Sequence, residues 1–487
     1  MSRSRRRFLV ESAVASAALL HPGLRSFAAG GKAKAKSPFL EGNFAPLRKE
    51  FTEEKLPVTG TLPKGLNGLF VRNGPNPQFD PLGNYHWFDG DGLIRRFAFD
   101  DNGVRHTARF VATNKRKVEQ AANAIVMAGF GTPGRPDAVV ASADDTNAAN
   151  TAVLPVNGQI WALWEAGSPV AVDASTLETK GVKTLRPDLA RMPFLAHPKV
   201  EPSGRIWNIG VSGRRAIVWR LAADGALEDA QVVELPRPDY VHDWAMTERH
   251  LLIVLQPWSM GSGPPPFVDA LRWRPDEPLI VLVLDKNDLS RRRVFEAPAM
   301  SFFHTGDAWE DQSGAIRVDL CASLDPNWTV TSAREVLRGV FRRSPDGPEL
   351  VGLTLHRDGR TEVQRTGVRG EFPQTDRRLQ GRRRALTALL SEATTNHPSP
   401  TAVALWDWER GTGETYDFGL DHMVEEMLMV PYGPDERDCW LIGTSLNLKA
   451  RATELHVLDA RRISAGPLAT WRSAHAAPLG FHGAFVP

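Results

Sequence analysis

Residues 152–164 of the chain have the sequence AVLPVNGQIWALW, in which two short apolar runs, Ala152–Pro155 and Gln159–Trp164, flank Asn157-Gly158. An Asn-Gly pair favours the tight turn between two antiparallel strands, because both residues tolerate the positive φ that this turn requires. The stretch therefore predicts a β-hairpin.

Similar short runs recur from about residue 51 to the end of the sequence, separated by turns rich in Gly, Pro, Asp and Asn. They lie at Gly68–Arg72, Leu93–Phe99, Ile206–Val211, Ala216–Leu221, Leu251–Leu255, Leu279–Leu284, Ile316–Leu320, Ala402–Trp406, Cys439–Thr444 and Glu454–Leu458. So many short strands favour a closed, radially repeated sheet over an open sandwich. We predict an all-β fold, with a β-propeller as the natural architecture. No fixed-period repeat is visible, so the pattern alone does not give the number of blades.

Helical periodicity is scarce, and the best candidates for helices are Val118–Ala128 and Arg383–Glu392. No Pro/Ser-rich linker divides the chain after residue 50. We therefore expect one propeller domain over residues 51–487, preceded by a linker at residues 31–50.

The composition is that of an ordinary soluble globular protein, with 42% hydrophobic and 24% charged residues among 487. The net charge is only +2, so no strong field favours nucleic acid, and we expect no nucleic-acid partner. The two cysteines, Cys321 and Cys439, form no CxxC motif. Two separate buried thiols are favoured, with a single disulfide as the alternative.

The first thirty residues have the features of an export signal. Ser4-Arg5-Arg6-Arg7-Phe8-Leu9 precedes an apolar run at Val10–Leu20 and a small-x-small cleavage site at Ser26–Ala28. This order predicts a twin-arginine signal peptide over residues 1–30. A frayed basic tail is the alternative. We expect a protein that is exported already folded, most simply to the periplasm, with no membrane-spanning segment after cleavage.

Four histidines have unusual settings beside aromatic, Pro or Gly residues at the edges of predicted strands. They are His197 in AHPK, His242 in VHDW, His304 in FFHT and His482 in GFHG. Ligands that arrive from separate blades could meet on the axis of a propeller. Neutral imidazoles suit Fe, Zn, Cu or Ni, and carboxylates that accept each ligand's other N–H would balance the charge of the metal. The mature region holds twelve histidines, so spacing alone does not select this set.

At these residues the sequence resembles the carotenoid cleavage oxygenase family. The most specific match is Gly68–Pro77, GLFVRNGPNP, followed by Tyr85–Gly92, YHWFDGDG. The four histidine segments then follow in the family's order, and the similarity extends from about Leu56 to Pro487. The resemblance implies that the iron ligands are His197, His242, His304 and His482. The many Gly, Asn and Asp residues of the first match are better explained as turn and packing residues than as catalysts.

The resemblance also implies three glutamates that orient the ligands. Glu165 ends the run ALWE, Glu371 begins EFP, and Glu426 begins EMLMVP. By analogy, Glu165 would orient His242, Glu371 would orient His304 and Glu426 would orient His482. His197 would have no carboxylate partner.

The family fold is a seven-bladed β-propeller with the iron on its axis, under a dome of loops and short helices. The resemblance therefore implies an iron(II), Fe(2+), dioxygenase that uses dioxygen to cleave a carbon–carbon double bond in an apolar conjugated substrate. Of the aromatic residues near the ligands, we expect most to pack between blades and a few to line an apolar tunnel; they are Trp164, Trp244, Phe302, Phe303, Trp309 and Phe481. Some relatives keep the iron site but isomerise a retinoid ester without oxygen, and this is the less favoured alternative.

The substrate class is predicted from one position. Stilbene-cleaving relatives tend to place a lysine just before the first of the three glutamates, where this chain has Trp164. This difference favours a carotenoid or apocarotenoid over a phenolic stilbene, which stays the alternative. Because such substrates lie in membranes, we expect peripheral membrane contact, with residues 118–130 and 264–273 as candidates. A helix packed on the propeller explains residues 118–130 equally well.

Overall fold

The computed structural model describes residues 46–79, 85–261, 266–335, 347–392, 397 and 399–487. The expected signal peptide and most of the expected linker, at residues 1–45, lie outside these ranges. The described residues form a seven-bladed β-propeller, as the resemblance implies.

The strands are β1 (Phe51–Glu53), β2 (Val58–Gly60), β3 (Gly68–Arg72), β4 (Pro75–Asn76), β5 (Asp91–Asp100), β6 (Gly103–Phe110), β7 (Ala152–Val156), β8 (Gln159–Leu163), β9 (Val170–Asp173), β10 (Thr179–Val182), β11 (Lys199–Val200), β12 (Ile206–Ser212), β13 (Arg215–Leu221), β14 (Leu227–Glu234), β15 (Ala245–Met246), β16 (His250–Leu255), β17 (Trp258–Met260), β18 (Leu271–Trp273), β19 (Leu279–Asp285), β20 (Asp288–Ala297), β21 (Ser301–Glu310), β22 (Ile316–Ser323), β23 (Glu349–Leu355), β24 (Thr361–Gln374), β25 (Leu386–Ser391), β26 (Ala402–Asp407), β27 (Thr412–Asp417), β28 (His422–Pro431), β29 (Cys439–Asn447), β30 (Ala452–Asp459), β31 (Ala469–Arg472) and β32 (Gly483–Val486). The helices within the described ranges are α1 (Asn114–Ala122), α2 (Phe267–Ala270), a π-helical turn (Trp328–Ser332) that leads into α3 (Ala333–Glu335), and five short 3-10 turns (Trp87–Asp89, Ala143–Asp145, Pro187–Leu189, Arg377–Leu379 and Ile463–Ala465).

The blades follow one another along the chain as antiparallel sheets. Blade 1 has the order β1-β6-β5-β3-β32, blade 2 β10-β9-β8-β7, blade 3 β11-β12-β13-β14 and blade 4 β15-β16-β19-β20. Blades 5 and 6 share the long strand β24, whose first part pairs with β23 of blade 5 and whose last part pairs with β25 of blade 6. Blade 7 has the order β2-β31-β30-β29-β28, and β17 and β18 form a separate ribbon.

Both ends of the described chain take part in closing the ring. The last strand, β32, pairs with β3 in blade 1, while the early strand β2 pairs with β31 in blade 7. Apolar clusters fill the interfaces between neighbouring blades, including the one between blades 7 and 1, where Phe70 and Phe97 pack with Trp440 and Trp471. Fully burying a large apolar side chain stabilises the fold by about 1.5–3 kcal/mol. Apolar packing between neighbouring blades therefore stabilises the ring.

The predicted helix at Arg383–Glu392 is wrong, because Leu386–Ser391 is strand β25. All six residues of β25 are buried. Leu386, Ala388 and Leu390 face blade 7, and Leu389 faces blade 5, so both faces of the strand are apolar. An apolar run without alternation has the same composition as a buried helix, which explains the error.

The predicted helix at Val118–Ala128 is placed too late in the chain. Helix α1 begins after Thr113, whose hydroxyl accepts from Arg116 N, and it ends at Asn123, which has a φ of 49°. A left-handed residue at this position ends a helix. Val126 and Met127 follow it and pack inward against Val140.

The two cysteines are free and buried, as the sequence favours. Cys321 lies in the apolar cluster between blades 5 and 6, and Cys439 lies in the cluster between blades 6 and 7. Within the described ranges, no helix has the length and apolar character needed to cross a bilayer.

Candidate metal centre

The four histidines selected from the sequence converge at the centre of the ring. His304 lies on β21, while His197, His242 and His482 lie one to three residues before β11, β15 and β32. Each of these strands is the edge strand of its blade, and β15, β21, β28 and β32 contact edge strands of neighbouring blades. The propeller thus brings side chains that are far apart in sequence to its axis.

The imidazoles present their Nε2 atoms to a common point. The Nε2 atoms of His197 and His242 are 3.1 Å apart, those of His242 and His304 are 3.3 Å apart, and those of His304 and His482 are 3.0 Å apart. All four ligand atoms lie within 4.8 Å of one another. With metal–nitrogen bonds of about 2.1 Å, two ligands at right angles are about 3 Å apart. The four histidines therefore fit a metal ion that has imidazole ligands on neighbouring positions.

The opposite nitrogen of three of the imidazoles contacts a carboxylate. Nδ1 of His304 is 2.6 Å from Glu371 Oε2, and Nδ1 of His482 is 2.8 Å from Glu426 Oε1. His242 Nδ1 is hydrogen-bonded to Glu165 Oε1. An ionised carboxylate only accepts, so Nδ1 of each ring carries the proton and Nε2 keeps its lone pair for a metal.

Burial and neighbouring charges shift the pKa values of His197, His304 and Glu426. Burial and the other three imidazoles hold the pKa of His197 well below its usual value. Burial acts against protonation of His304 too, but the adjacent Glu371 carboxylate outweighs it and raises the pKa of His304. For Glu426, burial is outweighed by His482 and by the nearby Arg72, and the pKa is lowered. Among the described residues, the hydrogen-bond partner of the His197 ring is His242 and not a carboxylate.

The seven groups come from seven blades. His482 belongs to blade 1, Glu165 follows β8 of blade 2, and His197, His242 and His304 belong to blades 3, 4 and 5. Glu371 lies on the part of β24 that belongs to blade 6, and Glu426 lies on β28 of blade 7. Each blade therefore supplies one polar group to the centre.

Comparisons with known proteins show to which family the chain belongs. Residues 44–487 match the sequence model of the retinal pigment epithelial membrane protein family. The chain belongs to this family. Among relatives, it is 28% identical to carotenoid 9,10(9',10')-cleavage dioxygenase 1 of Arabidopsis thaliana, over 92% of this chain and 89% of that one. It is also 28% identical to resveratrol cleavage oxygenase 1 of Aspergillus fumigatus, over 92% and 95% of the two chains.

The fold agrees with solved structures of the family. A variant of the Synechocystis apocarotenoid oxygenase superposes with a TM-score of 0.83 at 24% identity, over 91% of this chain and 97% of that one. The relatives are oxygenases that act on carotenoids or on a stilbene, and this member of the family is an oxidoreductase.

A buried ion pair ties together the segments that carry three of the histidines. Lys199 Nζ donates to Asp243 Oδ1 at 2.8 Å, and the other oxygen of Asp243 accepts from Thr305 N and Thr305 Oγ1, both at 2.8 Å. Lys199 lies two residues after His197, while Asp243 and Thr305 directly follow His242 and His304. The network fixes the three segments relative to one another, and no sequence motif predicts it.

The family signature around Asn73 holds the fourth histidine segment. Asn73 N donates to His482 O at 3.0 Å, and Asn73 O accepts from Phe481 N at 2.8 Å. Arg72 Nη1 donates to Phe481 O at 2.7 Å, and the Asn73 amide donates to Ala149 O at 2.8 Å. The signature thus has the packing role expected of it, and the segment that it packs against contains His482.

Aromatic side chains cover one side of the histidines. The ring of Phe303 lies 4.7 Å from that of His242, and Phe88 contacts both Phe303, at 5.8 Å, and Phe481, at 5.4 Å. Phe88 also contacts Phe130, at 5.1 Å. Of the aromatic residues named from the sequence, Phe303 and Phe481 therefore lie at the site. Trp244 and Phe302 instead pack in the clusters between blades.

Proposed function

We propose that this chain is an iron(II)-dependent dioxygenase that cleaves one double bond of a carotenoid or apocarotenoid. The observation that carries the proposal is the convergence of four Nε2 atoms within 4.8 Å, with no carboxylate among them. A set of neutral nitrogen ligands suits a divalent transition metal and leaves its positive charge in place. His197, His242, His304 and His482 would hold the ion, which would keep coordination positions for small molecules.

Bound iron(II) would supply the redox chemistry by which dioxygen attacks an electron-rich double bond. The overall reaction converts one alkene and one dioxygen into two carbonyl groups, so each alkene carbon gains one oxygen atom. Glu165, Glu371 and Glu426 keep the imidazole protons on Nδ1 and fix the orientation of the rings. No acid–base pair is required of the protein.

The protein must also orient the substrate. The contacts among Phe88, Phe303 and Phe481 form an apolar surface next to His242, and such a surface binds a flat conjugated chain while excluding water. We propose that this aromatic surface places a single double bond beside the metal.

A phenolic stilbene is the second candidate, because the resveratrol-cleaving relative is as similar to this chain as the carotenoid-cleaving relative is. Trp164, which replaces the lysine of stilbene-cleaving relatives, favours the carotenoid class. Trp164 directly precedes Glu165 and is partly exposed. It has no group that could form an ion pair with a phenolate.

The test is turnover with and without oxygen. The purified chain is loaded with iron(II), its metal content is verified, and it is mixed in detergent with β-carotene, an apocarotenal and a hydroxystilbene. We expect oxygen-dependent loss of the visible band of a carotenoid and two carbonyl fragments by mass spectrometry. Cleavage of the stilbene alone would overturn the substrate assignment. Reaction without oxygen would indicate isomerisation and overturn the dioxygenase proposal.

We also propose that the protein is exported by its twin-arginine signal and touches a membrane without crossing it. For export, replacing Arg5 and Arg6 by lysine should retain the protein in the cytoplasm, which fractionation measures. For membrane contact, residues 118–130 and 264–273 stay the candidates, and the nearby apolar residues Val139 and Met260, which are 82% and 46% exposed, are the ones to replace. Sedimentation with vesicles should detect binding that falls when both become serine. An unchanged bound fraction would contradict this role.

A further inference from the structure

Each of the three carboxylates that orient a histidine, those of Glu165, Glu371 and Glu426, accepts at least one hydrogen bond in addition to the one from that histidine. Glu371 accepts from Phe372 N at 2.7 Å. Glu426 accepts from Gln374 Nε2 at 2.8 Å and from Gly483 N at 2.7 Å. For Glu165 the additional donor is a side chain from the segment that carries the histidine itself.

That donor is the phenol of Tyr240. Its hydroxyl lies 2.8 Å from Glu165 Oε1 and 2.9 Å from Glu165 Oε2, and it is 3.3 Å from His242 Nδ1. Both carboxylate oxygens of Glu165 lie within hydrogen-bond distance of the same hydroxyl, so the carboxylate cannot rotate out of this position without losing its hydrogen bond to Tyr240. The phenol therefore fixes the carboxylate that in turn fixes the imidazole.

The burial of the two partners suits this role. Tyr240 is only 7% exposed, and Glu165 is the more accessible partner, with 20% of its side chain exposed. A carboxylate with solvent access has more freedom than Glu426, whose side chain is 1% exposed, and it depends more on its anchoring donor.

The ring of Tyr240 has a second set of contacts. It lies 5.4 Å from Trp258, 5.8 Å from Phe267 and 6.3 Å from Phe303, within the aromatic cluster that also contains Phe130. The ring is thus fixed by packing while its hydroxyl reaches the polar side. One residue connects the apolar cover of the site with the group that orients His242.

We infer that Tyr240 is a positioning residue of the metal centre, acting on His242 through Glu165 and coupling the aromatic cover to the orientation of that ligand. The inference rests on the proposed metal site. Partners of this kind, one step beyond the ligands, typically change metal affinity 10- to 100-fold when they are removed.

The test replaces Tyr240 by phenylalanine, which removes the hydroxyl and keeps the ring in its cluster. The matched control is Tyr432→Phe, because Tyr432 OH also donates to a carboxylate, Asp459 Oδ1 at 3.1 Å, but is exposed and directly follows the end of β28. Cobalt(II) is titrated into each metal-free protein against a competing chelator, and the visible bands of the bound ion report its geometry.

We expect Tyr240→Phe to bind cobalt(II) roughly tenfold more weakly, with altered band intensities and an unchanged melting temperature. Tyr432→Phe should bind as the wild type does. Wild-type affinity and an unchanged spectrum for Tyr240→Phe would overturn the inference.

A second comparison tests whether the phenol acts through Glu165. In a Glu165→Ala background, Tyr240→Phe should have almost no further effect on affinity. A full tenfold loss in that background would show that the phenol acts by another route, and would overturn the inference. The titration uses no substrate, so failure of the proposed cleavage activity and failure of this inference are distinguishable.

Discussion

Replacing Glu426 by glutamine should weaken metal binding more than the same change at Glu371. Glu426 accepts from donors on both of its oxygens: His482 Nδ1 and Gln374 Nε2 approach Oε1 at 2.8 Å each, and Gly483 N approaches Oε2 at 2.7 Å. A glutamine has one acceptor oxygen, so in either orientation its NH2 group faces an N–H donor. At least one buried donor loses its partner.

Glu371 differs in how its bonds are arranged. His304 Nδ1 and Phe372 N both donate to Oε2, at 2.6 and 2.7 Å. A glutamine can place its oxygen at that position and keep both bonds. Only the charge is lost, and the carboxylate is 19% exposed, so that water can hydrate the amide.

The size of the effect follows from the usual range for partners that orient metal ligands, which is about 10- to 100-fold. We expect Glu371→Gln near the lower end, at about 1.4 kcal/mol of binding free energy, and Glu426→Gln near the upper end, at about 2.7 kcal/mol. The difference is one buried donor left without an acceptor, which costs about 1–3 kcal/mol.

Titration of cobalt(II) against a competing chelator measures both variants. Glu362→Gln is the control, since Glu362 pairs with His356 at 3.1 Å on the side of the propeller and its side chain is 59% exposed. Equal affinities for the two test variants, or weaker binding by Glu371→Gln, would refute the argument from the arrangement of donors.

Three further predictions concern the ligands and the buried charges. His242→Ala should abolish iron binding and turnover while circular dichroism shows a folded propeller. The control variant His356→Ala should keep both iron binding and turnover. Iron-dependent turnover by His242→Ala would show that the ligand set is wrong. Lys199→Met leaves the buried Asp243 without its cation and should lower the free energy of unfolding in urea by about 3–5 kcal/mol, as breaking a buried ion pair does; an unchanged midpoint would contradict this. Burial is outweighed at Glu425 by neighbouring arginines, which lower its pKa from 4.5 to about 2. Its stabilisation is therefore present above pH 4.5 and lost as the pH falls towards 2, so Glu425→Gln should cost about 3 kcal/mol at pH 7 and little near pH 2 in urea titrations at each pH.

The strand-rich architecture could be predicted from the sequence because its signals are local. The hairpin at residues 152–164 appears as β7 and β8, joined at Asn157, with a φ of 45°, and Gly158, with a φ of 73°. Strand β25 was mistaken for a helix because burial on both faces removes the alternation that marks a strand. The number of blades depends on how sheets pack, which no single segment encodes, and it came only from the family resemblance.

At the candidate site, too, residues in short motifs could be predicted from the sequence and residues outside motifs could not. The histidine segments and their glutamates could be identified because they lie in short motifs. In the structure they lie together as the resemblance implies. Tyr240, Gln374 and the Lys199–Asp243 pair were missed, since a tyrosine, an amide and an ion pair carry no motif and their partners are up to 75 residues away. Val241 separates Tyr240 from His242, so alternation along the segment was the one available indication that both side chains point the same way.

The supply of one central group by each blade has a consequence for insertions and deletions. Side chains along a strand alternate in direction, so adding or removing one residue in an inner strand turns every later side chain of that strand to the opposite face. Such a change before His304 in β21 would direct the imidazole into a blade interface, whatever the rest of the ring does. The same change in an outer strand such as β14 or β27 displaces no central group. Insertions and deletions should therefore be tolerated in the outer strands. In the inner strands they should eliminate metal binding, even where the fold survives.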